Sequence, residues 1–178
     1  MTSGARAHGA GASAGAAAPA GAPAGPLLHL AGEWTGAGHG SYPSIADFDY
    51  LETVRFARIG DQPVFVYSQR TRHPQSALPM HREDGYLRMH PGGAELIVVQ
   101  PTGIAEVDEG PITETETGFA LRLSSTSVGH SATAKTVTEV VRVFRLAGDL
   151  LHTDVAIAAV GYPLTHHLSS VLRRVASA

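Results

Sequence analysis

The chain has 178 residues, enough for one domain with a sizeable core. Thirteen Lys and Arg stand against sixteen Asp and Glu, a formal net charge of −3, and the basic residues are scattered, which argues against the clustered basic face that nucleic-acid binding needs. Cysteine is absent, excluding disulfides, zinc–thiolate sites, thiol nucleophiles and thiolate-ligated metals, while ten histidines leave nitrogen-ligated chemistry open.

Residues 1 to about 25 are almost entirely Ala, Gly, Pro and Ser, with Arg6 the one formal charge. Such a segment offers too little apolar area to offset its ordering entropy, so residues 1–25 are expected to be a disordered tail and 26–178 the folded domain. A secretory leader would need a leucine-like apolar core after Arg6, and a membrane span a far longer apolar run. The expectation is a cytoplasmic protein that does not engage membranes.

Pro26-Leu27-Leu28-His29-Leu30 reads as one apolar helical turn. Two-residue alternation follows, with strands expected at about 33–40, 47–57, 63–72, 84–90, 94–100, 103–109, 111–115, 118–124, 135–146 and 150–160. Gly60-Asp61, Pro91-Gly92-Gly93, Gly110-Pro111 and Gly148-Asp149 supply turns between them. Ten meandering strands without βαβ alternation predict an all-β, antiparallel up-and-down barrel, since closure removes sticky edges. A barrel of this size has room for a ligand. Last in the chain, Leu164, Leu168, Val171, Leu172 and Val175 recur at helical spacing, with Pro163 and Thr165 before them and Arg173 and Arg174 near the end. The spacing predicts a C-terminal helix lying across the barrel.

Gly32-Glu33-Trp34-Thr35-Gly36-Ala37-Gly38 places glycines along the first strand. Gly inside a strand marks a bend or the close approach of another group, and the plain reading is a kinked strand with Trp34 in the core. It is no phosphate loop, having no following helix and no P-loop lysine. On the expected C-terminal helix, at about 100° per residue, His166 falls opposite the apolar stripe and His167 at its border, about a quarter turn away. Geometry alone leaves both as ordinary polar residues at a helix start. No hydrolytic constellation stands out: Gly-x-Ser-x-Gly and His-Glu-x-x-His are absent. Asp and Glu are spread out, and Glu83-Asp84 and Asp108-Glu109 read as turn or rim charges.

The glycine run resembles the Gly-x-Trp-x-Gly-x-Gly signature of the nitrobindin family, and the following Tyr42-Pro43-Ser44-Ile45 fits as well. The likeness continues through Phe48-Asp49-Tyr50, Tyr67-Ser68-Gln69-Arg70-Thr71, the stretch from Pro79-Met80-His81 to Arg88, Gln100-Pro101-Thr102-Gly103 and Ala134-Lys135, and ends at Gly161-Tyr162-Pro163-Leu164-Thr165-His166-His167-Leu168. It covers roughly residues 27–175, and the motifs together are specific where the glycine run alone is not.

The resemblance implies a ten-stranded barrel of fatty-acid-binding-protein shape holding one heme b per chain. It implies His167 as proximal axial ligand of the iron and hence as the catalytic residue. His81 and Met80 would lie near the other face of the heme, with Met80 as apolar wall. Ser44 stands where the family commonly has Thr and keeps the hydroxyl; Lys135 is placed to pair with a propionate; Phe48, Gln100 and Ile157 correspond to cavity-lining positions. The implied activity is isomerisation of peroxynitrite to nitrate at ferric heme, with reversible nitric oxide binding, and a homodimer is left open. The alternative is a non-enzymatic carrier of a fatty-acid-like ligand, for which a pair of inward arginines drawn from Arg70, Arg88, Arg122 and Arg142 would argue.

Overall fold

The alternation of apolar and polar residues is realised almost without interruption. A computed structural model of the protein describes residues 25–176; residues 1–24, nearly all of the expected tail, lie outside them. Eleven strands run in chain order: β1 Gly32–Tyr42, β2 Ile45–Arg58, β3 Val64–Arg72, β4 Pro79–His90, β5 Gly93–Val99, β6 Ile104–Gly110, β7 Ile112–Thr115, β8 Gly118–His130, β9 Val137–Ala147, β10 Leu150–Ala159 and β11 Thr165–Arg174. All pairings are antiparallel, β1 bonds to both β2 and β11, and β6 bonds to β8. These pairings close the sheet. β7 continues β6 beyond the Gly110-Pro111 break and pairs only with β8, so the ring has ten staves. No helix among the described residues is long and apolar enough to cross a membrane.

The tenth stave corrects the expected C-terminal helix. Thr165–Arg174 is strand β11, hydrogen-bonded to β1 on one side and β10 on the other. The apolar residues of the expected helix do not share a face: Leu168 lines the interior and Leu172 is fully buried, whereas Val171 in the strand and Leu164 and Val175 beside its ends are exposed. Two open strand edges supplied more hydrogen bonds than an isolated turn of helix, and tertiary pairing overrode local spacing. The expected turn at Pro26–Leu30 is a 3₁₀ turn.

Because the ring meanders, the β1–β2, β3–β4, β5–β6, β8–β9 and β10–β11 connections gather at one end, the mouth. The other end is plugged. Leu27 and Leu30 of the 3₁₀ turn are fully buried with Trp34, whose indole N–H donates to the Leu30 carbonyl at 2.9 Å. They pack with Phe56, Phe65, Leu87, Leu96, Phe119, Leu121, Phe144, Leu146 and Leu172 in one cluster. Among the described residues the cavity therefore opens at the mouth, and polar residues midway along the staves form the floor beneath it.

The glycines of β1 admit neighbouring rings. A Cβ on Gly38 would lie 2.3 Å from the Tyr50 ring, and one on Gly40 2.3 Å from the Phe48 ring. Tyr50 passes over β1 and donates its hydroxyl to the Ser169 carbonyl of β11 at 3.1 Å. Close approach, not a kink alone, accounts for these two positions.

Candidate heme cavity

Above the floor, the barrel encloses a cavity of about 610 Å³, within the range of roughly 300–1,000 Å³ common for small-molecule and cofactor sites. Every residue singled out from the sequence lines it: Ser44, Phe48, Met80, His81, Gln100, Lys135, Ile157 and His167. Ser44 lies in the β1–β2 turn and Lys135 in the β8–β9 loop, both exposed at the mouth. Met80 and His81 sit on the first residues of β4, in a strand that begins earlier than the alternation suggests.

His167 enters the cavity through an irregularity. On β11 Leu168 pairs with Val155 and His166 with Ala156, which leaves His167 as an extra residue without a partner across that ladder. In a regular strand Leu168, Ser170 and Leu172 facing inward would send His167 outward. The bulge re-aims it, so that His167 and Leu168 both line the cavity while His166 stays exposed beside Asp154. A second register slip in β1, between Gly40 and Tyr42, frees the Ser41 carbonyl. His167 Nδ1 lies 2.9 Å from that oxygen. A carbonyl can only accept, so Nδ1 carries the proton and Nε2 keeps its lone pair. Nε2 has no hydrogen-bond partner among the described residues. Burial pushes the His167 pKa down, against the opposing Ser41 bond, which favours the neutral imidazole. Tyr42 and Phe48 hold the ring edge-on at centroid distances of 5.3 and 6.2 Å.

The floor was not legible as such in the sequence. Arg142 is buried, and its guanidinium meets three carboxylates: Nε donates to Asp108 at 3.0 Å, Nη1 and Nη2 to Glu83 at 2.7 and 3.0 Å, and Nη2 also to Glu106 at 2.8 Å. Tyr67 donates to Glu83 at 2.7 Å, and Gln100 links Glu106 to the rim, donating at 2.5 Å and accepting from Thr102 at 3.0 Å. Gln69 donates to Glu52 at 3.0 Å. Burial disfavours charge on Glu83, but Arg142, His81 and Tyr67 together hold its carboxyl at about 2. Asp108 goes the other way: burial, reinforced by Glu106 and Glu83, outweighs Arg142 and pushes it up to about 7. Glu52 is also raised, chiefly by burial.

Glu83 and Asp108 are thus not turn or rim charges; only their neighbours Asp84 and Glu109 face outward. The signal was their register with inward apolar residues, Glu83 four before Leu87 and Asp108 four after Ile104. The inward arginine pair expected of a fatty-acid carrier is not formed either. Arg70, Arg88 and Arg122 are exposed, and Arg142 is already met by three carboxylates. Among the described residues no cluster of three or more His, Asp or Glu could hold a metal ion.

Comparison with known proteins agrees with this geometry. The THAP4-like, heme-binding beta-barrel domain family matches residues 24–174. A peroxynitrite isomerase from Nocardia farcinica is 48% identical over 149 residues, 83% of this chain and 88% of that protein. Peroxynitrite isomerase 2 of Mycobacterium avium is 46% identical over 149 residues, 83% of this chain and 92% of that protein. The crystal structure of Rv2717c from M. tuberculosis superposes with a TM-score of 0.81 at 42% identity, covering 87% of this chain and 99% of that one. A closed ten-stave barrel, a lumen-facing histidine with a free Nε2 and a match over nearly all the described residues lead to one assignment: the chain belongs to the THAP4-like heme-binding β-barrel family, the nitrobindin family.

Proposed function

We propose that the protein holds one heme b per chain through His167 Nε2 and isomerises peroxynitrite to nitrate, with reversible nitric oxide binding at the same centre. The observation that carries this reading is the hydrogen bond from His167 Nδ1 to the Ser41 carbonyl, which fixes the tautomer with Nε2 ready to ligate. The residues around it fit the group. Phe48, Ile157 and Met80 supply apolar walls, and the Ser44 hydroxyl and Lys135 ammonium stand at the mouth, where propionates would emerge. Heme, held by His167, would supply the iron chemistry that exchanges the O–O bond of peroxynitrite for a third N–O bond.

The chain's own contribution would be the His167 imidazole that holds the group, and the electronics of that ring. The partner of His167 is a neutral carbonyl, not a carboxylate, so the imidazole gains little anionic character. That favours an isomerase and nitric oxide binder over a peroxidase, whose chemistry gains from a more basic proximal ligand. A lipid carrier that grips its carboxylate with a pair of inward arginines is disfavoured, because Arg70, Arg88 and Arg122 are exposed and Arg142 is already met by three carboxylates.

The test is an ultraviolet–visible spectrum of heme-reconstituted protein, wild type beside His167→Ala, with and without nitric oxide. A Soret band that shifts with nitric oxide and is lost or grossly altered in the variant is expected, together with peroxynitrite-to-nitrate turnover in wild type only. Identical spectra for the two proteins would overturn His167 as ligand.

A further inference from the structure

Two tyrosines join the His167 side of the cavity to the outside of the barrel. Tyr42 ends β1, lines the cavity and packs edge-on against His167, with ring centroids 5.3 Å apart. Tyr162 lies in the loop between β10 and β11 and meets Tyr42 edge-on at 5.8 Å. Ala159 fixes the pair. Its N–H donates to the Tyr42 hydroxyl at 2.9 Å, and its carbonyl accepts from that hydroxyl at 3.1 Å and from the Tyr162 N–H at 2.9 Å. Tyr42 is buried, whereas Tyr162 is 39% exposed. The rings of His167, Tyr42 and Tyr162 thus run edge to face from the cavity to solvent.

The other three tyrosines are placed differently. Tyr50 is reached from His167 through Phe48, and it is buried with its hydroxyl on the Ser169 carbonyl. Tyr67 is buried in the floor and donates to Glu83, a carboxylate that Arg142 makes a weak base. Tyr86 is 49% exposed but stands on the outer wall of β4, between Val66 and Ile97. A phenol that loses an electron becomes a strong acid, so the oxidising equivalent rests where the proton can leave. The Tyr42 hydroxyl faces a carbonyl, a poor proton acceptor, and an electron lost there is replaced from the neighbouring ring. Tyr162 can release its proton to water.

Resting on the heme and peroxynitrite reading above, we propose that Tyr42 and Tyr162 carry oxidising equivalents out of the cavity, and that Tyr162 is the protein's nitration site. Peroxynitrite whose O–O bond breaks homolytically yields nitrogen dioxide, a one-electron oxidant. The share that recombines gives nitrate; the share that does not is left beside His167. In the first step one electron passes from the Tyr162 phenol through the Tyr42 ring to nitrogen dioxide, which becomes nitrite, and the phenolic proton goes to water. In the second, the phenoxyl radical couples with another nitrogen dioxide. A C–N bond forms next to the phenolic carbon, and the ring proton moves to the phenolic oxygen as aromaticity returns. One tyrosine and two nitrogen dioxide molecules give one nitrotyrosine, one nitrite and one proton. The path draws the oxidant away from His167 and ends it on an exposed ring.

The experiment treats heme-loaded and heme-free wild type, and heme-loaded Tyr42→Phe and Tyr162→Phe, with peroxynitrite. Nitration at each tyrosine is mapped by peptide mass spectrometry, with Tyr86 as the exposed reference, and the Soret band reports heme retention. The expected result is several-fold more nitration at Tyr162 than at Tyr86 in heme-loaded wild type, and comparable nitration of the two in the heme-free protein. In heme-loaded Tyr42→Phe the excess at Tyr162 should disappear. In Tyr162→Phe the Soret band should bleach several-fold more per peroxynitrite added, because the exit is gone. Should Tyr42→Phe lose its heme, the wild-type comparison with and without heme decides alone. Normal heme uptake with no excess at Tyr162, with nitration chiefly at Tyr42, Tyr50 or Tyr67, or with an excess that persists in Tyr42→Phe overturns the proposal while leaving the heme reading intact. Failure of wild type to take up heme overturns both.

Discussion

His167 Nδ1 and the Ser41 carbonyl oxygen lie 2.9 Å apart, and both residues stand outside the regular strand pairing. β11 carries one residue too many at His167, and β1 slips register at Ser41. Neither irregularity would orient the imidazole alone. Together they turn the ring inward and tie its outer nitrogen to the wall, with Tyr42 and Phe48 packed on it. The orientation is thus inherited from the barrel's main chain, which is stiffer than any side-chain partner.

The glycines beneath Phe48 and Tyr50 should matter in proportion to the space they leave. Gly38→Ala and Gly40→Ala each place a Cβ 2.3 Å from a ring atom, so each should destabilise the heme-free barrel by about 1–3 kcal/mol and weaken heme retention by displacing the rings beside His167. Gly129→Ala, whose Cβ would meet nothing nearer than 3.8 Å, should stay within about 0.5 kcal/mol of wild type. Urea denaturation and heme titration read both effects. Equal behaviour of the three variants would remove the packing explanation.

Arg142→Met leaves Glu83, Glu106 and Asp108 buried together without a cation. Loss of about 3–5 kcal/mol at neutral pH is expected. Part of the stability should return on mild acidification, as the carboxylates protonate; thermal melts at pH 5 and 7.5 check the direction.

Asp108 and Glu83 pull stability in opposite senses with pH. The folded pKa of Asp108, about 7, stands above its ordinary 3.8, so the native state binds the proton more tightly. Its contribution is full below 3.8 and is lost as pH rises through about 7, up to about 4 kcal/mol in all. Glu83, held at about 2 against an ordinary 4.5, contributes above 4.5 and loses its contribution as pH falls toward 2. Asp108→Asn should therefore flatten the decline between pH 5 and 8 and be the more stable protein at pH 8. Denaturant midpoints across that range test it, and a wild-type curve already flat there would refute the assignment.

Val160 adopts φ 47°, a left-handed conformation costly for a β-branched residue, in the loop that leads to β11. Asn tolerates this region better, and Val160 is 44% exposed, so little packing is lost. Val160→Asn should raise stability by about 1 kcal/mol, a melting-temperature gain of roughly 2–4 °C. A lower melting temperature would mean that its contacts at the cavity wall outweigh the strain.

The sequence by itself determined the barrel and the residues around the upper part of its cavity. Strict alternation between turn residues can be satisfied only by a sheet with one buried face, and ten such segments need closure; the motifs from Gly32 to His167 then identify eight of the lining residues, from Ser44 to His167. Even the count of ten held, although its membership changed: the stretches at 103–109 and 111–115 merge into one stave, and the supposed helix supplies the last. Tertiary structure alone decided three things. Thr165–Arg174 became a strand because two neighbouring edges offered it a ladder, something no local spacing can express. His167 faces the lumen because of a bulge, which depends on register against another strand and not on the periodicity of its own. Arg142 collected Glu83, Glu106 and Asp108 because carboxylates as many as 59 residues away in the chain meet it inside the barrel, where low polarity compels every charge to find a partner.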